Sequence, residues 1–76
     1  MIITGKQVKA ARELLGWSKV KLALQSGVGS FVIDKFERGV RTLHSGSLDG
    51  LRRALETSGA EFIGGNPPSV RLRKEE

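Results

Sequence analysis

Ser18-Lys-Val-Lys-Leu-Ala-Leu-Gln-Ser-Gly27-Val-Gly-Ser-Phe-Val-Ile-Asp-Lys-Phe-Glu-Arg-Gly39 sets two short amphipathic segments on either side of a glycine-centred turn. Helical spacing puts Ala23 where two helices cross, Gly27 where the chain reverses, Val28 just after the turn, and Ile33 and Phe36 on the inward face of the second segment. Each position has a steric reason. A small residue lets helices approach, glycine takes a positive φ without a Cβ clash, and the apolar trio fixes the second helix at one angle. The stretch predicts a helix-turn-helix.

On either side of this stretch glycines punctuate the chain between periodic segments, and two further helices fit. Thr4 followed by Gln7 is a capping-box pattern opening a helix from about Gly5 to Leu15, with Val8, Ala11 and Leu15 as its inward stripe. Ser18 is the natural N-cap of the next helix, about Lys19 to Gln25, and Trp17 just before it plugs the gap between the first two. The third helix spans about Ser30 to Arg38. After a loop from Gly39 to Gly46, Ser47 is expected to cap a fourth helix running to about Thr57, with Leu48, Leu51 and Leu55 inward.

From Gly59 the period changes. Ala60-Glu-Phe-Ile63 and Ser69-Val-Arg-Leu-Arg73 alternate and are separated by Gly64-Gly-Asn-Pro-Pro68, a strong turn cluster, so a β-hairpin is expected. The expected organisation is a helical domain over residues 1–58 and a hairpin with a tail over 59–76, the last three residues reading as a solvated end. An isolated hairpin is marginal in water and its free edge invites pairing with a second copy. Phe62, Ile63, Val70 and Leu72 are therefore the candidate homodimer interface. The alternative is a hairpin folded onto its own helices through Phe62, Val70 and Leu72.

The chain has 76 residues, 13 Lys+Arg against 8 Asp+Glu and a net charge of +5. A domain of this length buries only about 60–65% of the surface its unfolded chain exposes, so oligomerisation is an expected source of stability. Without cysteine, neither disulfides nor a Cys-based zinc site can contribute. The basic balance suits a polyanionic partner through counterion release, and equally describes a merely soluble basic surface. No signal-peptide pattern and no bilayer-length apolar run occurs, so a cytoplasmic protein without membrane attachment is expected. One histidine, scattered carboxylates and no phosphate-binding glycine loop offer no nucleophile–base pair or metal cluster. No enzyme, cofactor or metal is expected.

The segment from about Thr4 to Leu55 resembles the Cro and lambda-repressor class of helix-turn-helix regulators, the XRE family. The resemblance rests on Arg12-Glu-Leu-Leu-Gly-Trp-Ser18, Leu22-Ala23, Ser26-Gly-Val28 and Phe36-Glu-Arg-Gly39. It implies a mainly α fold with a compact four-helix lambda-repressor-like domain; the C-terminal β-hairpin expected from the alternation departs from the family, standing in place of its usual fifth helix. It also implies a structural ion pair between Arg12 and Glu37. That pairing agrees with the place of Arg12 beside the apolar stripe, where an unpaired charge is costly to bury.

By the same resemblance the start of the third helix enters the DNA major groove, and Ser30, Phe31, Asp34 and Lys35 face base edges. Ser30 can donate or accept, Lys35 can donate to guanine, Phe31 can pack on a thymine methyl, and Asp34 can accept from a cytosine amino group. Ser18, Lys19, Arg38 and Arg41 are expected to clamp phosphates, assisted by the Gly39 amide and the positive end of the second helix. The expected partner is double-stranded DNA, bound by a homodimer that regulates transcription, with repression the expected output. Control by a protein regulator is a further expectation.

Three positions depart from the family pattern: Gly29 where a Ser or Thr usually caps the recognition helix, Phe31 at a usually polar reader, and Leu43 where proline is common. Other readings stand beside these. Asp34 and Arg38 are four apart and can form an exposed helical pair, Phe31 can anchor a protein, and His44 reads as a surface loop residue. The whole scaffold can serve as a protein-binding adaptor or antitoxin-like module.

Overall fold

The computed structural model describes residues 2–73. Four helices, α1 (Gly5–Leu14), α2 (Lys19–Ser26), α3 (Ser30–Glu37) and α4 (Ser45–Thr57), are followed by an antiparallel hairpin of β1 (Ala60–Ile63) and β2 (Ser69–Leu72). The fold is the expected one, mainly helical with a C-terminal β-hairpin. The expected solvated tail, Lys74 to Glu76, lies outside the described residues.

The chain starts α1 by satisfying its end. The Thr4 hydroxyl accepts from the Gln7 amide at 3.2 Å, and the Gln7 side-chain oxygen accepts from the Thr4 amide at 3.0 Å, a closed capping box. Ser18 caps α2, its hydroxyl accepting from the Lys21 amide at 3.0 Å. Gly27 ends α2 with φ +76°, and its amide donates back to the Ala23 carbonyl. Gly29 stands before α3 without any side-chain cap.

One boundary differs from expectation. The fourth helix begins two residues earlier than Ser47, and its cap is His44, whose Nδ1 accepts from the Ser47 amide at 3.3 Å. A neutral imidazole nitrogen supplies the acceptor a hydroxyl usually provides, so His44 serves the fold rather than standing as a spectator in the loop.

Val8, Ala11, Leu22, Val28, Ile33, Leu51, Leu55 and Ala60 form the buried core, joined by Ile3 ahead of α1. Two glycines allow close crossings. A Cβ on Gly50 would sit 2.7 Å from the Ser26 carbonyl oxygen, and one on Gly5 would sit 2.0 Å from that of Phe36. α4 therefore lies against the end of α2, and the start of α1 abuts the end of α3, at distances no side chain permits.

The hairpin shares this core. Its register pairs Ala60 with Leu72 and Phe62 with Val70 on one face. Ala60 is buried, and Phe62 and Val70 pack against the helical core. Gln7 supplies the tether: its side-chain nitrogen donates to the carbonyls of Ile63 at 3.3 Å and Ser69 at 3.1 Å. The hairpin is thus packed on and hydrogen-bonded to the helices. On the opposite face Glu61 accepts from Arg71 at 2.7 Å. Of the four candidate dimer residues, Phe62 and Val70 are engaged by the chain's own core, Ile63 is half-buried on the outer face, and Leu72 is 43% exposed.

Candidate nucleic-acid interface

The buried pair behind α3 fixes its angle. Arg12 Nε donates to Glu37 Oε2 at 2.9 Å and a second guanidinium nitrogen donates to Oε1, also at 2.9 Å. A further bond at 3.0 Å reaches the Trp17 carbonyl. The bidentate geometry leaves neither buried charge unpaired and joins α1, the α1–α2 link and the end of α3. The hydrogen bond that Arg12 donates to Glu37 raises the Arg12 pKa above its ordinary value, outweighing the opposing effect of burial.

Ile33 anchors α3 inward, which turns Phe31, Asp34 and Lys35 outward. Phe31 is 68% exposed, and the Lys35 ammonium lies 4.8 Å from its ring centroid, so the two form a cation–π pair at the surface. Ser30, the first helical residue, is half-buried. Asp34 has both oxygens engaged. Oδ1 accepts from Lys19 Nζ at 2.7 Å and Oδ2 from an Arg38 guanidinium nitrogen at 3.3 Å. These bonds, that of Lys19 foremost, hold the Asp34 carboxyl below the usual aspartate range.

The structure thus brings the first residue of α2 beside the middle of α3. Lys19, Asp34 and Arg38 form a continuous chain of contacts, Ser18 caps the helix that starts at Lys19, and the exposed Arg41 follows in the loop. Lys35 and Arg41 make no ion pair among the described residues. One expectation needs correction: the Gly39 amide donates to the Phe36 carbonyl at 3.0 Å, closing the turn after α3, and is not available to a phosphate. The Ser18 hydroxyl is likewise committed as an acceptor at the α2 cap, with its proton left to donate.

Sequence reasoning overlooked an apolar strip on α2. Val20 and Leu24, four apart on one face, are 61% and 78% exposed. Helical spacing alone marks them as outward once Leu22 and Ala23 are placed inward. No family model and no curated protein matches the chain. Among the described residues no helix is long and apolar enough to cross a membrane, and no group of His, Cys, Asp or Glu is placed to hold a metal.

Proposed function

We propose that the chain is a sequence-specific double-stranded-DNA-binding regulator of transcription of the Cro and lambda-repressor type. It acts as a homodimer on an inverted repeat whose half-site centres lie about 34 Å, one helical turn, or a multiple of it apart. The observation that supports this reading most is the single outward face shared by the start of α2 and by α3. That face presents an aromatic ring, two ammonium groups, a guanidinium and a carboxylate, the kinds of group that contact base edges and phosphates.

Ser30, Phe31, Asp34 and Lys35 read bases, while Lys19, Arg38, Arg41 and the Ser18 hydroxyl hold phosphates. Repression is the output, since covering a promoter needs only binding, and the protein works inside the cytoplasm. Occupancy follows the chain's own concentration through dimer formation, or a protein regulator. Selection of a randomised duplex library on the purified chain tests this. A two-fold symmetric enriched motif supports it, and a library that stays random contradicts it.

A second reading has its own support. Exposed Val20, Leu24 and Phe31 are apolar side chains on the helix-turn-helix itself, which suits a protein-binding module. Salt separates the two, because phosphate contacts weaken steeply with ionic strength and apolar contacts do not.

A further inference from the structure

Asp34 is an acid on a surface otherwise fitted for phosphate, and its two oxygens hold two cations of that surface, Lys19 and Arg38. All three side chains are partly solvent-exposed, where ion pairs add little to stability. The fold itself is secured elsewhere, by the core and by the Arg12–Glu37 pair. What the trio sets is the charge offered to a polyanion: two cations less one carboxylate leave a single net positive charge at this point.

Resting on the DNA-binding reading above, we infer that Asp34 is a specificity-determining latch, whose carboxylate occupies Lys19 and Arg38 until a cytosine amino group in the groove takes it over. On a duplex of arbitrary sequence no cytosine amino group stands at the position the carboxylate reaches, and phosphates must compete with it for both cations. On the preferred site the exocyclic amine donates to a carboxylate oxygen, and the cations turn to the backbone. The acid thus lowers binding everywhere except where a base compensates it.

The experiment uses the full chain and its Asp34→Asn variant, which keeps shape and removes charge. Each is titrated with a duplex selected from the random library and with its scrambled counterpart, from about 50 to 200 mM salt. The latch predicts that Asp34→Asn binds the scrambled duplex about tenfold more tightly near 0.1 M salt, with a log–log salt slope steeper by about 0.9, the increment for one added phosphate contact. It predicts a selected-to-scrambled affinity ratio reduced by about tenfold or more.

Glu61→Gln supplies the control, since it makes the same change in net charge and releases Arg71 on the outer face of the hairpin. It should leave ratio and slope near the wild-type values. In a Lys19→Gln, Arg38→Gln background, Asp34→Asn should no longer steepen the slope. If the wild type enriches a motif but Asp34→Asn behaves as Glu61→Gln does, the latch is overturned and the DNA reading stands. If wild type and variant alike enrich nothing and bind neither duplex, the DNA reading fails and the latch fails with it.

Discussion

Gln7 and Ser69, sixty-two residues apart, are joined by a hydrogen bond of 3.1 Å from the Gln7 side chain to the Ser69 carbonyl. The same side-chain amide accepts from Thr4 and donates to Ile63, so one buried residue both caps α1 and holds the hairpin on the helices. Replacing it separates the two tasks. Gln7→Glu keeps the acceptor that the cap needs but turns a carboxylate toward two carbonyl oxygens. It is expected to loosen the hairpin more than Gln7→Ala does. Hydrogen exchange of the β1 and β2 amides measures this, with the α1 amides as internal reference; equal protection in both variants would count against the tether.

The Arg12–Glu37 pair gives a sharper stability prediction. Glu37→Leu or Arg12→Met alone leaves a buried partner uncompensated and should cost about 3–5 kcal/mol, a large share of what a domain this small possesses. The double replacement Arg12→Met with Glu37→Leu should recover most of that loss. Urea denaturation of the three variants decides it, and additive losses in the double variant would show that the pair does not act as a unit.

Gly50→Ala opposes two effects. Alanine favours a helix interior by about 1 kcal/mol over glycine. The added Cβ, however, would lie 2.7 Å from the Ser26 carbonyl oxygen, and backbone on both sides must move. Overpacking of this kind costs about 1–3 kcal/mol, so net destabilisation is expected in thermal melts. A stabilised variant would mean that α2 and α4 slide apart at no cost.

Asp34 should show its partners in its titration. Its carboxyl is held below the usual aspartate range, first by the hydrogen bond from Lys19 and then by that from Arg38. Because the folded value lies below the unfolded one, the contribution of these links is complete above the ordinary aspartate pKa and is lost as pH falls through the depressed value. Carbon-detected NMR of Asp34 should therefore give a low midpoint that rises in Lys19→Met. An unmoved midpoint would remove Lys19 as the cause.

These residues also show what a linear reading reaches. The Thr4–Gln7 cap, the Gly27 turn and the inward Ile33 follow from local spacing, and they fix four helices and the outward face of α3. The second task of Gln7 depends on carbonyls more than fifty positions away, which no periodicity encodes. Gly50 passes as an ordinary position of the fourth helix until the crossing with α2 is known. His44 is overlooked as a cap because the adjacent Ser45-Gly46-Ser47 run offers hydroxyls that suit the role better. Alternation marks Phe62 and Val70 as one face of a hairpin, but whether a second copy or the chain's own helices cover that face depends on where α1 lies. The Lys19–Asp34 contact likewise requires the angle between two helices, and it changes the role of both residues.

In the function proposed above, the outward face of α2 and α3 meets DNA. Adding a library-selected duplex to the isotopically labelled chain and following its amide signals tests that most directly. Changes are expected to concentrate at Ser18 and Lys19, along Ser30 to Lys35, and from Arg38 to Arg41, with β1 and β2 little affected. Changes confined to the hairpin, or spread evenly over the basic surface, would contradict it.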